Sequence, residues 1–297
     1  MKRILFVTIA LMLVFSFSLS FAQDEGETKM LGTVTVIDKG EVTIHSYMAP
    51  ENSGMVNTQI IETENGLVII DAQFIRPFAK EAAGYIKSLN KPILRVIISH
   101  SHPDHWYGLE FYQDVPIYAL AETKQFIEEN GDGMIARNKV TMGDMITDIK
   151  VVPGNVIEEG SEKIDGLKYK FKKVSDGEAG VQLLITLPKI NTLIGQDLLY
   201  NDVHLFIGNG TFDGWIDALK KLKKKKNAFD TILVGHGKPA DSDIFDKNIK
   251  YLETVKKTYN SVKSGEELKS QLIKEYPDYH APFLLDLSNR MLYPEKK

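Results

Sequence analysis

The segment Ile97–Gly108, IISHSHPDHWYG, carries three of the seven histidines in this chain of 297 residues. The three histidines and Asp104 fall within six positions, directly behind the mostly apolar run Ile93–Ile98. So few imidazoles crowded behind one apolar run indicate either a metal site, a proton relay or a chance cluster at the surface.

The spacing inside this segment favours a site for two metal ions. If the chain stays extended, His100 and His102 point the same way, because side chains alternate along a strand. Pro103 then turns the chain, so that Asp104 and His105 can be directed at a neighbouring point. Imidazole nitrogens and carboxylate oxygens are ligands that zinc accepts.

The same arrangement recurs along the chain, because four short apolar runs each end at a histidine or an aspartate. They are LVIID at Asp71, LRVIISH at His100, TLIGQD at Asp197 and TILVGH at His236. Buried strands that finish in this way place the four side chains along one sheet edge, which is where sites form in α/β folds.

These motifs resemble those of the metallo-β-lactamase superfamily of metal-dependent hydrolases. HSHPDH matches its H-x-H-x-D-H motif at all four required positions. Asp71 in GLVIIDAQ resembles its first motif, Asp197 in IGQDLLYN its bridging acid and His236 in GHGKP its final ligand. The resemblance covers roughly residues 33–241, and it implies an α/β fold, a four-layer αβ/βα sandwich with the metals at one edge between two sheets.

One departure from the family concerns a histidine that normally lies between the H-x-H-x-D-H motif and the bridging acid. The corresponding stretch here, VSDGEAGVQLLITLP, contains no histidine. Counting back from Pro188 places Glu178 at that point, and alkylsulfatases of the same superfamily look similar in using a glutamate there. Glu178 is therefore the predicted ligand, with Asp176 as the alternative. A degenerate site that holds a single ion is the alternative to a pair of ions.

The resemblance and the spacing together predict a set of site residues. The predicted metal ligands are His100, His102, Asp104, His105, Glu178, Asp197 and His236. Asp104 is also predicted to be catalytic, and Asp71 is expected to orient metal-bound imidazoles without touching metal. His204 and Asn201 are predicted to border the substrate, although a hydrogen-bonded place in the core is an equally good interpretation of His204.

Two divalent ions, expected to be Zn²⁺, would lower the pKa of a shared water and give a metal-bound hydroxide. This predicts a hydrolase for a small molecule with an ester, thioester, amide (including β-lactam) or sulfate ester bond. The chain has no cysteine, which excludes the zinc β-lactamases that use a cysteine ligand. An iron-dependent oxidoreductase of the same fold and a non-catalytic metal-binding protein are the alternatives.

The N-terminus predicts export to the periplasm or the medium. Lys2 and Arg3 precede the apolar run Ile4–Phe21, and SFA ends in a small-x-small pattern, as in a signal peptide of residues 1–22. An uncleaved membrane anchor is the alternative. Cleavage removes two basic residues and no acid, so the net charge falls from −4 to −6. An acidic mature protein is a poor nucleic-acid binder, and no stable membrane insertion is expected after cleavage.

The rest of the chain divides into a catalytic domain at residues 30–241 and a helical C-terminal extension at residues 242–297. The dipeptides Lys39-Gly40 and Asn65-Gly66 each lie between alternating runs, which predicts two β-hairpins. Helix is predicted over Glu122–Glu129. The stretch Gly131–Gly160 fits neither a helical nor a strand period, and it is predicted to be a long loop that walls the site.

Overall fold

The computed structural model describes residues 30–294. The proposed signal peptide, residues 1–22, lies outside this range, so its cleavage and the export of the protein stay predictions. Among the described residues, no helix combines the length and the apolar character that crossing a membrane requires.

The first sheet follows the order of the chain, so that strands adjacent in sequence are adjacent in the sheet. Its strands are β1 (Thr33–Asp38), β2 (Thr43–Met48), β3 (Asn57–Glu62), β4 (Leu67–Ile70), β5 (Ile93–Ile98), β6 (Ile117–Ala119) and β7 (Asn155–Val156). The first four pair antiparallel, and both predicted hairpins are confirmed in β1–β2 and β3–β4. Strands β4 to β7 run parallel, which requires crossover connections between them.

The second sheet contains β8 (Gly160–Ile164), β9 (Leu167–Ser175), β10 (Val181–Leu187), β11 (Thr192–Tyr200) and β12 (Thr231–His236). Its spatial order is β12-β11-β10-β9-β8. The pairs are antiparallel except for β11 and β12, which run parallel. Each sheet therefore contains parallel strands, and these end at the edge where the motif residues lie.

Seven α-helices accompany the two sheets in residues 30–294. They are α1 (Arg76–Ser88), α2 (Pro103–Trp106), α3 (Ala121–Met142), α4 (Phe212–Lys223), α5 (Ile244–Tyr259), α6 (Gly265–Glu275) and α7 (Phe283–Leu292). One apolar cluster joins residues of both sheets, and two others join one sheet each to helices. The predicted four-layer αβ/βα sandwich is confirmed, with α5, α6 and α7 as its helical C-terminal extension.

The prediction of a loop over Gly131–Gly160 is wrong in its first half, because α3 continues to Met142. Glycine weakens a helix interior by about 1 kcal/mol relative to alanine, which is why a break was expected. Gly131 is buried, and a Cβ there would lie 2.6 Å from the Lys150 side chain and 3.2 Å from Trp106. Close packing against Lys150 and Trp106 thus accounts for the glycine inside a continuing helix.

The strand endings agree with the sequence prediction in three of four cases. Asp71 follows β4, His100 follows β5 after one residue, and His236 ends β12. Asp197 was expected at a strand end but lies inside β11, which runs on to Tyr200. The pairing of β11 with β12 shifts register on both sides of Gln196. Such an irregularity redirects side chains, and it lets Asp197 reach the same edge.

Candidate metal centre

Imidazole nitrogens and carboxylate oxygens meet at this edge in two groups that share Asp197. Within each group the candidate ligand atoms lie within 4.8 Å of one another. The first group is His100, His102, Glu178 and Asp197, and the second is Asp104, His105, Asp197 and His236. All seven residues predicted as metal ligands are therefore brought together, while their binding of metal stays a prediction.

The segment after β5 divides between the two groups as its spacing predicted. His102 has extended backbone angles and directly precedes α2, which begins at Pro103. His100 and His102 thus belong to the extended stretch and contribute to the first group. Asp104 and His105 lie in the first turn of α2 and contribute to the second.

The structure places Glu178, and not Asp176, in the first group. Glu178 is 1% exposed, and its Oε1 lies 3.0 Å from Nδ1 of His102. Its Oε2 lies 3.6 Å from Nε2 of His100. Asp176 is exposed and occupies a left-handed backbone conformation with φ of 59°. The amide of Asn209 donates to the carbonyl of Glu178 at 2.6 Å, which holds the loop in place.

Asp71 is fully buried behind the histidines and accepts several hydrogen bonds. Nδ1 of His105 donates to its Oδ2 at 2.8 Å, and the backbone N–H of Ser99 donates to its Oδ1 at 2.8 Å. The Ser99 hydroxyl donates to Oδ2 at 2.7 Å and lies 2.9 Å from Nδ1 of His100. Gln196 contributes a further bond. This geometry supports the predicted orienting role of Asp71 for both imidazoles.

Tyr200 was missed by sequence reasoning, although it lies three residues after Asp197. Its hydroxyl donates to Oδ2 of Asp197 at 2.9 Å, and its ring stacks on His236 with a centroid distance of 4.4 Å. Nδ1 of His236 donates to the carbonyl of Gly54 at 2.6 Å, which directs Nε2 toward Asp197. Gly235 is required here, because a Cβ would lie 1.8 Å from Oδ1 of Asp197.

Burial and mutual charge shift the acid–base properties of the cluster. Burial raises the pKa of Glu178 to about 7 and holds the pKa of His100 well below its usual value. Burial also opposes the charged form of His236, but the Asp197 and Asp104 carboxylates together outweigh it and raise the pKa of His236 to about 10. The imidazoles and carboxylates therefore compete for protons, which bound cations would displace.

An observation that is independent of the motif also indicates that these residues suit divalent metal ions. Nε2 of His100 and Nε2 of His105 are buried and have no hydrogen-bond partner, and they lie 3.8 Å and 3.2 Å from Oδ2 of Asp197. A buried polar atom without a partner costs free energy, and two such nitrogens beside one carboxylate fit a bound cation. Nitrogen and oxygen donors without thiolate suit zinc and several other divalent ions.

The two residues predicted to border the substrate lie elsewhere. His204 is 1% exposed, and its Nδ1 is 2.8 Å from the hydroxyl of Tyr251, so the core interpretation is the correct one. Asn201 donates its side-chain amide to the carbonyl of Lys238 at 3.0 Å. Its backbone N–H bonds the carbonyl of His236, so it supports the loop behind that histidine. Neither residue lines the cavity at the metal centre.

That cavity measures about 540 Å³ and has metal-centre residues in its wall. His102, Asp104, Glu178, Asp197, Tyr200 and His236 form its polar part. Side chains of α3 and α7 form much of the remainder. The stretch Gly131–Gly160 was predicted to form a wall of the site. Part of it does line the cavity, but this part is the helical segment of α3.

A four-layer αβ/βα sandwich with imidazoles and carboxylates gathered at one sheet edge is the architecture of a class of proteins with a candidate metal centre at that edge. A family model described as the metallo-beta-lactamase superfamily matches residues 52–236. The chain belongs to this superfamily, which confirms the resemblance drawn from its motifs. The fold implies divalent metal binding, and the two ligand groups are the candidate sites for it.

The curated relatives include enzymes of two activities. Metallo-beta-lactamase IND-1 of Chryseobacterium indologenes is 23% identical over 187 residues, 61% of this chain and 71% of that protein. A linear primary-alkylsulfatase of a Pseudomonas species is 28% identical over 179 residues, 48% of this chain and 26% of that protein. An (R)-specific secondary-alkylsulfatase of a Pseudomonas species is 26% identical over 227 residues, which are 62% of this chain and 34% of that protein. The matches span only about a quarter to a third of these sulfatases.

Solved structures share the fold at low sequence identity. A metallo-beta-lactamase from Pontibacter korlensis superimposes with a TM-score of 0.59 at 20% identity, covering 75% of this chain and 99% of that one. The metallo-beta-lactamase FIM-1 from Pseudomonas aeruginosa, in its mono-zinc form, superimposes with a TM-score of 0.57 at 20% identity. The superposition covers 76% of this chain and 96% of that one. The helices α5, α6 and α7 lie beyond the residues that the family model matches.

Proposed function

We propose that this protein is a hydrolase that uses two divalent metal ions, expected to be Zn²⁺, to cleave an ester, thioester, amide (including β-lactam) or sulfate ester. The observation that carries the proposal is the pair of ligand groups sharing Asp197 in the wall of one cavity. A shared carboxylate between two groups suits a bridging ligand, and paired ions are suited to hydrolytic displacement.

Bound ions would supply Lewis acidity and lower the pKa of a water molecule at the site. The protein residues around them have separate tasks. Asp104 reaches the cavity, and its Oδ2 lies 3.4 Å from Nε2 of both His105 and His236. It is placed to accept a hydrogen bond from the attacking water and to orient it. Asp71 fixes the ring of His105 from behind.

The proposal is tested first by metal content. Mass spectrometry of metal-replete mature protein should approach two equivalents of a divalent ion, and elemental analysis should identify zinc. One equivalent under metal excess would contradict the two-ion version. Iron in place of zinc would favour the oxidoreductase alternative of the same fold.

Activity is tested with a panel of chromogenic carboxylic esters, thioesters, β-lactams and sulfate esters. The zinc-loaded protein should hydrolyse at least one class, and chelation should abolish the turnover. Similarity to both a β-lactamase and alkylsulfatases motivates the breadth of the panel. A protein that binds two ions and turns over nothing on the panel would support the non-catalytic alternative.

Export to the periplasm or the medium is also proposed, on the basic residues and apolar run that precede Ala22. Sequencing the N-terminus of protein recovered outside the cytoplasm should give Gln23 as the first residue. An intact N-terminus on membrane-bound protein would favour the uncleaved anchor.

A further inference from the structure

Helix α7 has two faces of different character. Leu285 and Ser288 are buried on one face, and the Ser288 hydroxyl accepts a hydrogen bond from the backbone N–H of Ile207 at 2.9 Å. Lys269 of α6 pairs with Asp286 at 2.7 Å and fixes the helix further. The helix is thus anchored, and its second face does not serve to hold it in place.

The second face of α7 opens on the cavity at the metal centre. Phe283, Leu287, Arg290 and Met291 recur at helical spacing and all line this cavity. Leu287 is 39% exposed and Met291 53% exposed, which is unusual for large apolar side chains. Apolar side chains grouped on an accessible face mark a binding surface, and this one faces the cavity that contains the metal ligands.

Helix α3 presents a similar face to the same cavity. Met134, Arg137, Asn138, Thr141 and Met142 lie at positions i, i+3, i+4, i+7 and i+8 of that helix, and all line the cavity. Two helices far apart in the sequence therefore each contribute one arginine, and they contribute two methionines from α3 and one from α7. Methionine adapts its shape to a flexible apolar ligand.

The two arginines differ from the other arginines that the structure describes. Arg76 pairs with Glu110 and Asp148, and Arg95 pairs with Glu162. Arg137 and Arg290 have no carboxylate within 4.0 Å among residues 30–294, and both line the cavity.

The acids that line the cavity are the metal-centre residues Asp104, Glu178 and Asp197. Bound cations would neutralise their charge, so the two guanidinium groups remain the free charges of the cavity wall. A guanidinium group binds carboxylate, sulfate or phosphate through paired hydrogen bonds.

We propose that α7 is part of the substrate site and that, with α3, it selects a substrate with an apolar body and an anionic group remote from the bond cleaved. The apolar body lies against Leu287, Met291 and the methionines of α3, and the anionic group is bound by Arg137 and Arg290. This inference rests on the proposed function and adds to it the chemical class of substrate.

The test uses two nitrophenyl esters of equal length, one of octanoic acid and one of octanedioic acid with its second carboxyl group free. The zinc-loaded protein should prefer the anionic ester by about tenfold in kcat/KM, the size expected of a charge-assisted hydrogen bond. Arg137→Gln/Arg290→Gln should lose this preference, so that its kcat/KM values on the two esters lie within about twofold of each other.

A matched control removes the same charge elsewhere. Lys221 and Lys224 are exposed at the end of α4, so Lys221→Gln/Lys224→Gln should keep the full preference. Equal rates of the wild type on both esters would overturn the inference, as would a preference that survives in the arginine variant.

A second measurement separates this inference from the proposed function. Calorimetry of octanoate binding to the zinc-loaded protein should show about tenfold weaker affinity in the arginine double variant than in the wild type. Equal affinity in both would overturn the anion site. If neither ester is hydrolysed but octanoate binding depends on the arginines, the hydrolase proposal fails and the anion site is supported.

Discussion

The two ligand groups contain the same kinds of side chain, but the protein supports them differently. In the second group, Nδ1 of His105 bonds to Asp71 and Nδ1 of His236 bonds to the carbonyl of Gly54. Both partners are buried or backbone groups, so both rings are fixed before any ion arrives. Fixed rings lose little freedom on binding, which favours tight coordination.

The first group is less rigidly supported. The side chain of His102 is 23% exposed and meets the edge of the Phe206 ring, with a centroid distance of 5.3 Å. Glu178 lies in the loop between β9 and β10, where its carboxylate accepts from Gln182 at 3.1 Å. The first group thus includes a partly exposed histidine and a loop residue, so we expect it to hold its ion less tightly than the second.

The largest effect is expected for the residue that both groups share. Asp197→Ala should reduce bound metal from about two equivalents to below one and lower turnover by more than about 100-fold, beyond what loss of an orienting residue costs. Metal analysis and kcat/KM on the best panel substrate measure both effects. Two retained equivalents would show that Asp197 does not connect the groups.

Substitution of Glu178 distinguishes the two groups most clearly, because Glu178 belongs only to the first group. Glu178→Ala should lose the first ion and keep the second, and Glu178→His should bind two ions again, because imidazole is an equivalent ligand. Metal titration followed by mass spectrometry measures the stoichiometry.

The control for Glu178 is Asp176→Asn, since asparagine tolerates the left-handed backbone that Asp176 adopts. This variant should retain both ions. Loss of an ion from Asp176→Asn but not from Glu178→Ala would reverse the assignment of this ligand.

Asp71→Asn tests the hydrogen bonds that hold the metal-ligand histidines from behind. The second group should weaken by roughly 10- to 100-fold in metal affinity, because His105 bonds directly to the Asp71 carboxylate. The first group should weaken less, because His100 reaches Asp71 only through Ser99. Competition with a chelator gives the two affinities, and equal losses in both groups would contradict the difference described above.

Ser99→Ala should give the smallest effect, confined to the first group. It removes the hydrogen bond to His100 and the one that the Ser99 hydroxyl donates to Asp71, and it leaves the bond between His105 and Asp71 intact. A neutral hydrogen bond contributes about 1 kcal/mol, which corresponds to about a fivefold loss of affinity for the first ion. A larger loss from the second group would indicate that Ser99 acts through Asp71 instead.

Most of the fold was predictable because its signals are local. The turns at Lys39-Gly40 and Asn65-Gly66 and the apolar strand runs depend on neighbouring residues, and both hairpins are as predicted. The extent of α3 was not predictable, because it depends on the packing of Gly131 against Trp106 and Lys150, which are distant in the sequence.

The clustering of the predicted ligands was also predictable, because the spacing of the ligands and the ends of the strands can be recognised in the sequence. The contacts around the ligands could not be predicted in this way. Tyr200 could have been suspected from its distance of three residues to Asp197, but its stacking on His236 depends on the register shift in β11. His204 has a similar sequence context and lies in the core, because the chain beyond β11 turns it toward Tyr251.

The crowding of His100, His102, Asp104 and His105 has a consequence for the unfolded chain. These four residues are neighbours in sequence, whereas Glu178, Asp197 and His236 reach them only through folding. An unfolded molecule therefore keeps a chelating segment of its own. Ligand binding to the denatured ensemble subtracts from the stabilisation that the native state gains. The increase in melting temperature on adding zinc should accordingly be smaller than the affinity of the folded protein alone implies.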